Sequence, residues 1–441
     1  MFRDWVYPGY VRAMRPKRPR KRTGTDRGRL VQTGAVICAV LGLNTDTSLV
    51  YQLFSLLFCL VVISRLTLRI HRPSVEIRRH LPRYATANQS FEYQIAVTNT
   101  GSSVESDLTI ADNPTIRPPD REQFSREKEP GEDTRNAYDR FIGFHRFVYL
   151  QKMNTGITIK PQQVPDISLK ATVNVTVEAE PMRRGIVQFS STSVLHPDPL
   201  GLNHGVTLFD NPDSLIVLPK RYDVTKAFQI AGGRHFQPGG INASWSIGES
   251  DEFVSLRDYR DGDSLRKIHW ASSAKRSKAV VKEYQDEYFV RQALILDTTN
   301  PDSRILEEAI SVASSLMLVM NNSDSMLDLI YLSDKPAILT SGRGTSSVNE
   351  QLEILATLTH TDLGLDKLRE TVAGHIQLLS GCILVLSNYT DEHQHLLQTL
   401  LTTNIAVEVF VVTDDESSLG DLPARYHILP VDQIQDRLSK L

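Results

Sequence analysis

Residues 292–320 read QALILDTTNPDSRILEEAISVASSLMLVM. The first six form an apolar run that stops at Asp297, the pattern of a strand buried on both faces. Ser303–Met320 then sets Ile305, Ala309, Ile310, Val312, Ala313, Leu316, Met317 and Met320 at close to helical period. The unit repeats downstream. Leu327–Leu332 reads as a second strand, Val348–Leu358 as a helix, Cys382–Leu386 as a third strand and Asp391–Leu401 as its crossover helix. Ile405–Val412 reads as a fourth strand and Val431–Leu441 as a terminal helix. This alternation predicts an α/β domain over 290–441 with a mainly parallel sheet covered on both faces. Ligands of such sheets sit beyond the carboxyl ends of the strands. Asp297, Ser387, Asn388 and Thr413-Asp414-Asp415 fall at such ends.

Immediately upstream, Glu249–Glu283 reads ESDEFVSLRDYRDGDSLRKIHWASSAKRSKAVVKE. Arg257, Asp258, Tyr259, Arg260, Asp261, Gly262 and Asp263 crowd alternating charge around a turn, and Asp-Gly-Asp is strong turn chemistry. Arg266, Lys267, His269 and Trp270 follow closely. Such density fits a docking surface, a site, or a solvated face laced by Arg–Asp pairs. Tyr259, Ile268 and Trp270 carry enough apolar surface to be packing residues. The spacing of Glu249, Phe253, Leu256, Arg257, Tyr259, Gly262, Asp263, Arg266, Ile268 and Trp270 resembles the signature of the bacterial domain-of-unknown-function 58 family. Arg184-Gly185 and Pro197-Asp198-Pro199-Leu200-Gly201-Leu202 resemble what precedes that signature, with a domain-joining turn or an ordinary Pro-rich loop as the two readings.

In that family a von Willebrand factor A-like domain often follows the signature, and residues 290–441 resemble one. Such domains can hold Mg²⁺ through an Asp-x-Ser-x-Ser loop of oxygen ligands. Here the loop is Asp297-Thr298-Thr299-Asn300-Pro301. Asp297 and Thr299 are the candidate ligands, but Pro301 brings no hydroxyl. The expectation is therefore that Asp297 satisfies nearby amides or caps the helix rather than holding a metal.

The rest of the chain frames these segments. A length of 441 residues suggests about three units. A hydrophobic share of 41% with 23% charged residues is ordinary for a folded chain. The net charge is −3, yet residues 1–29 hold ten Lys or Arg against two Asp. That basic arm precedes two apolar stretches, Leu30–Thr45 and Thr47–Ser64, joined by a polar linker without Lys or Arg. Arg29 and Arg65 flank them, so the positive-inside rule predicts a transmembrane hairpin over 30–64 with both termini cytoplasmic. The arm then has a ready lipid role, and nucleic acid is not expected as a partner. Cys38, Cys59 and Cys382 form no disulfide framework, which fits a reducing compartment.

Residues 73–220 read as an Ig-like β-sandwich, with Phe91, Tyr93, Ile95 and Val97 on one face of a strand and Val173, Val175 and Val177 repeating the pattern. An insertion over 111–166 interrupts it. Pro114–Thr134 reads as a mobile loop. Phe141, Phe144 and Phe147, beside Arg140 and Arg146, read as a core stripe or, alternatively, as a helix lying on lipid headgroups.

No phosphate-cradling or nucleophile-elbow motif occurs in the sequence. The reading is a membrane-anchored interaction protein of the bacterial inner membrane rather than an enzyme. Its signature surface would be Glu249, Arg257, Asp258, Tyr259, Asp263, Arg266, His269 and Trp270. The resemblance implies a MoxR-type AAA+ ATPase as partner. The alternative is a metal-dependent hydrolase built on Asp258, Asp263 and His269.

Overall fold

The structure is a computed structural model that describes residues 7–12, 22–41, 48–70, 72–225, 253–260, 263, 265–284, 290–320, 325–342, 347–402, 405–419, 423 and 426–440. The chain divides into two compact units, Met1–Lys220 and Arg221–Leu441.

In the first unit a helical turn over residues 7–12 precedes β1 (Arg22–Gly24), α1 (Asp26–Leu41) and α2 (Ser48–Ile70). The two helices pack on each other, with Gly34 against Leu57. Their bounds correct the expected 30–64 hairpin. α1 starts four residues earlier, and α2 runs six residues past Ser64. Among the described residues, only α2 is long and apolar enough to cross a membrane, over Leu49–Ile70. The extension past Ser64 carries Leu66, Leu68 and Ile70 interleaved with Arg65, Thr67 and Arg69, and Leu68 stays on the face of Val61 and Ser64.

Two sheets then share one core. The smaller contains β2 (Val75–His80), β4 (Phe91–Asn99), β8 (Thr172–Pro181) and β6 (Ile157–Ile159) in the order β2-β4-β8-β6, all antiparallel. The larger runs β1-β10-β9-β5-β7. It is built from β5 (Thr109–Pro114), β7 (Gln162–Gln163), β9 (Gly185–Pro197) and β10 (Asn203–Leu218), with β3 (Tyr84–Thr86) parallel to β10. Alternation decides the buried face. Tyr93, Ile95 and Val97 of β4 meet Val187, Phe189 and Val194 of β9 and Leu215 and Val217 of β10 in a single cluster. Inside it, Asp112 accepts from Arg79 and from Tyr93, and the Arg79 guanidinium lies 4.7 Å from the Phe189 ring centre. A buried charge is tolerated only when so paired.

Pro114–Thr134, expected as a mobile loop, instead holds α3 (Arg121–Arg126) and a 3₁₀ turn at Glu132–Thr134. The rest of the insertion adds α4 (Ala137–Ile142) and α5 (Phe144–Thr155), and the Asp120 and Asn136 side chains cap α3 and α4. Phe124, Phe147 and Leu150 form a small core that Tyr7, Tyr10 and Val11 of the N-terminal arm cover. Arg146 is buried and bonded to Glu132. Phe147 is thus core, whereas Phe141 and Phe144 are exposed. Strand register argues against the headgroup reading of this helix. The insertion leaves β5 at Pro114, opposite Phe189, whereas the end of β9 nearest α2 is Pro197. The eight residues between span about 26 Å of strand.

The second unit carries a six-stranded sheet ordered β15-β14-β13-β16-β17-β18. Its strands are β13 (Val290–Leu296), β14 (Ser325–Leu332), β15 (Pro336–Ser341), β16 (Gly381–Leu386), β17 (Ala406–Thr413) and β18 (Tyr426–Pro430). Only the β14–β15 pair is antiparallel. The central strand β16 is buried throughout. The amphipathic helices α7 (Ser303–Met320), α8 (Val348–Thr357), α9 (Leu365–His375) and α10 (Asp391–Leu401) bury one side each. The expected terminal helix shortens to a 3₁₀ turn at Val431–Gln433 and α11 (Ile434–Leu438).

Candidate functional site

The signature segment folds as a two-stranded antiparallel sheet, β11 (Phe253–Asp258) with β12 (Val280–Tyr284), joined through α6 (Trp270–Arg276). Such a pair needs additional burial to stand. Ile268, Val280 and Val281 supply it, each at most 8% exposed, and a bridge joins Ile268 to Val281. Arg257 grips Asp263 with two bonds of 2.7 Å, and the Arg260 backbone N–H donates to the same carboxylate at 2.9 Å. Those bonds, the Arg257 pair first, hold the Asp263 pKa at about 2. The turn is therefore braced from within.

His269 is spent on structure. Its Nδ1 caps α6, accepting from the Ser272 N–H at 3.3 Å, with the Ser272 hydroxyl at 2.7 Å. Trp270 has a different place from the one expected. It is 70% exposed, beside Leu265 at 67% and an exposed Arg266. The chain leaves the Ile268–Val281 bridge and enters α6 at Trp270, so Ile268 is buried and Trp270 is not, which corrects the reading of both as core. Tyr259 is half-buried and fixed by its N–H to Ala279, and Asp258 is exposed. Glu249, Gly262 and His235 lie outside the described residues, as does the side chain of Lys267. Among Arg257–Lys282 there are eight Lys or Arg and three Asp, so the surface is strongly basic.

The second group lies at the carboxyl ends of β13 and β16. These strands are adjacent although β14 and β15 intervene in the chain. That is a switch point, where open α/β sheets bind ligands. Asp297 and Ser387 meet there, and the crevice between them is filled by protein. One Asp297 oxygen accepts from the Thr299 N–H and hydroxyl at 2.9 and 2.7 Å. The other accepts from the Ser387 hydroxyl and N–H at 2.6 and 3.2 Å, and His393 Nε2 lies 3.3 Å away. Burial alone would raise this carboxyl, but His393, Ser387 and the Thr299 N–H together hold it at about 2. The Thr390 N–H donates to His393 Nδ1, so Nε2 carries the proton facing Asp297.

A magnesium ion does not fit this donor set. It requires open oxygen lone pairs, and five protein donors already surround the Asp297 carboxylate. Thr299 is one of those donors, and Pro301 offers no oxygen from its side chain. Among the described residues no three His, Cys, Asp or Glu are arranged to hold a metal. Asn388, Asp414 and Asp415 are exposed at the rim, and Asp414 pairs loosely with Arg304 at 3.8 Å.

Sequence reasoning missed two buried groups. His393 is one, although Thr390 three residues before it had the spacing of a capping box. Asp328 is the other. It is fully buried in β14 and bound by Arg291 at 2.7 Å, His375 at 2.8 Å and Thr340. A lone Asp inside an apolar strand was its signal.

Comparison with known proteins bears on the same segment. Residues 255–425 match the family described as "Protein of unknown function DUF58". The uncharacterized protein YeaD of Bacillus subtilis is 26% identical over 195 residues, 44% of this chain and 47% of that protein. The matched region thus spans about half the length of that relative. Two solved structures show weak likeness. The proximal thread matrix protein 1 of mussel byssus is 12% identical with a TM-score of 0.27, over 34% of this chain and 44% of that one. The CARDB domain of PF1109 from Pyrococcus furiosus is 11% identical with a TM-score of 0.16, over 33% and 96%. Neither score carries an argument. The match thus lies over the signature and most of the parallel sheet, and the Bacillus relative supports the similarity of this region to the DUF58 family.

Proposed function

We propose that this is a membrane-anchored interaction protein whose signature turn docks a protein partner. The observation that carries this reading is the exposed Leu265, Arg266 and Trp270 on a turn locked by Arg257–Asp263. Trp and Arg are the residue types that dominate binding hot spots, and a rigid presentation lowers the entropy lost on association. The basic surface would steer an acidic face of the partner. A MoxR-type AAA+ ATPase is the partner that the family resemblance implies, with a role in assembling or maturing other proteins. The two shared-core sheets support the Ig-like sandwich assignment, and the mainly parallel sheet supports the von Willebrand factor A-like one. Placement in a bacterial inner membrane, with two passes and cytoplasmic termini, rests on the apolar stretches and the Arg residues around them.

The hydrolase alternative needs Asp258, Asp263 and His269 to converge on a substrate. Asp263 is committed to Arg257 and His269 to the cap of α6, so that reading has less support. The test is a photo-cross-linking amino acid in place of Trp270 in the full chain, activated in native membranes. An adduct with an AAA+ ATPase that Arg266→Glu abolishes is expected. Adducts with lipid alone, or none, would remove the basis of the proposal.

A further inference from the structure

The loop Pro197–Asn203, which joins β9 to β10, is clamped between the two N-terminal helices. Ser64 of α2 is fully buried and bonded to Asp198, and Asn203 Nδ2 donates to Ser64 at 2.6 Å. Thr25, just before α1, donates its hydroxyl to the Gly201 and Leu202 carbonyls at 2.9 Å each, and its N–H to Leu202 at 3.1 Å. Gly28 lies so close that an added Cβ would stand 1.8 Å from the Leu202 oxygen. Val61, Ser64 and Leu68, one face of α2, are buried at this junction.

Two features of the loop suit a place at a membrane boundary. The first is that its backbone is satisfied internally. The Asp198 carboxylate accepts from the N–H groups of Leu200, Leu202 and Asn203 at 2.9–3.0 Å. The Gly201 N–H reaches the Asp198 carbonyl, and the Asp198 N–H reaches Asn203. Water would satisfy these groups at no structural expense, whereas irregular backbone near hydrocarbon must be satisfied by protein. The second is depth. Ser64 is fifteen residues from Leu49, about 22 Å of helix, less than the roughly 30 Å of a hydrocarbon core. The outward side of the last turns of α2 continues apolar, with Leu66 51% and Ile70 77% exposed, and Leu200 is 42% exposed on the loop. Arg65 and Arg69 are exposed among them, which is the mixture that snorkelling side chains make at a membrane boundary.

We propose that the Pro197–Asn203 loop is a further membrane-contacting element, seated in the interfacial layer of the bilayer. Leu200, Leu66 and Ile70 enter the acyl boundary there, and Arg65 and Arg69 meet phospholipid phosphates. The inference rests on α2 spanning the membrane, and it adds that the sandwich is seated in the bilayer surface through this junction rather than hung from a free linker.

The test is site-directed spin labelling of the full chain in phospholipid nanodiscs. Cys38 and Cys59 are replaced by Ser, while Cys382 is buried and left in place. Labels at Leu200→Cys, at Leu56→Cys in mid-helix and at Ile186→Cys on the far end of β9 are compared for collision with oxygen and with a water-soluble nickel chelate. All three parent side chains are at or above 42% exposed, so the labels spare the core. Position 200 is expected to be shielded from nickel and open to oxygen, between position 56 and the aqueous position 186. Adding Arg65→Gln and Arg69→Gln should move it toward the aqueous value. Nickel access at 200 equal to that at 186, with 56 immersed, would overturn the proposal and leave the spanning helix standing. Nickel access at 56 as well would overturn both.

Discussion

Ile268 and Trp270 stand two positions apart and face opposite ways, one 8% and the other 70% exposed. Truncating the buried one should weaken the second unit by about 2–5 kcal/mol. Trp270→Ala should stay within about 0.5 kcal/mol of the parent, as surface substitutions do. Denaturant unfolding of the two variants checks both, and the expected order is Trp270→Ala above Ile268→Ala. Asp328 tests the interior. Burial would raise its pKa, but His375, Arg291 and Thr340 hold it below the ordinary carboxylate range. A lowered folded pKa means that its stabilisation is present above the ordinary carboxylate value and is lost as pH falls through the folded one. Asp328→Ala leaves Arg291 without its buried partner and should lose about 3–5 kcal/mol at neutral pH. Asp328→Asn should flatten the acid limb of the stability curve.

At the scale of elements, the closed crevice between β13 and β16 predicts that magnesium leaves the melting temperature of the full chain unchanged. A ligand of the native state at a hundred times its Kd would add about 2.7 kcal/mol. A magnesium-dependent rise that disappears in Asp297→Ala would contradict the account of that crevice. Calorimetry at several magnesium concentrations decides it. The strands and helices that carry this site were legible because buried strands such as Cys382–Leu386 are apolar throughout and α7 keeps a strict helical period over eighteen residues. What escaped was short or depended on distant partners. β15 and β18 have six and five residues with mixed polarity, and only their neighbours make them strands. The helices of the insertion hide in a polar, Pro-rich composition because their core is three residues completed by Tyr7 and Tyr10 from far away in the chain. Trp270 reads as core from its apolar character alone, yet a large share of any folded surface is apolar. His393 and Ser64 owe their roles to contacts 96 and 134 residues away, which no local pattern records.

At the scale of the whole molecule, the account is a docking surface on one unit and a bilayer anchor on the other. Reporter fusions after Tyr10 and after Leu441 should both read cytoplasmic, because Lys and Arg flank the two apolar stretches and the linker between has none. An exported C-terminal reporter would contradict the two-pass reading. The most direct test of the central claim is the affinity of the detergent-solubilised full chain for the purified MoxR-type AAA+ ATPase of the same cell. It would be measured for the parent, Trp270→Ala and Arg266→Glu, with melting temperatures recorded for each. Losing a hot-spot residue should weaken binding by about 2 kcal/mol or more, some thirtyfold, at unchanged melting temperature. The Arg266→Glu loss should be larger at low salt than at high. Equal affinity of all three proteins, or no binding by the parent, would contradict the claim that the signature turn is a docking surface for this partner.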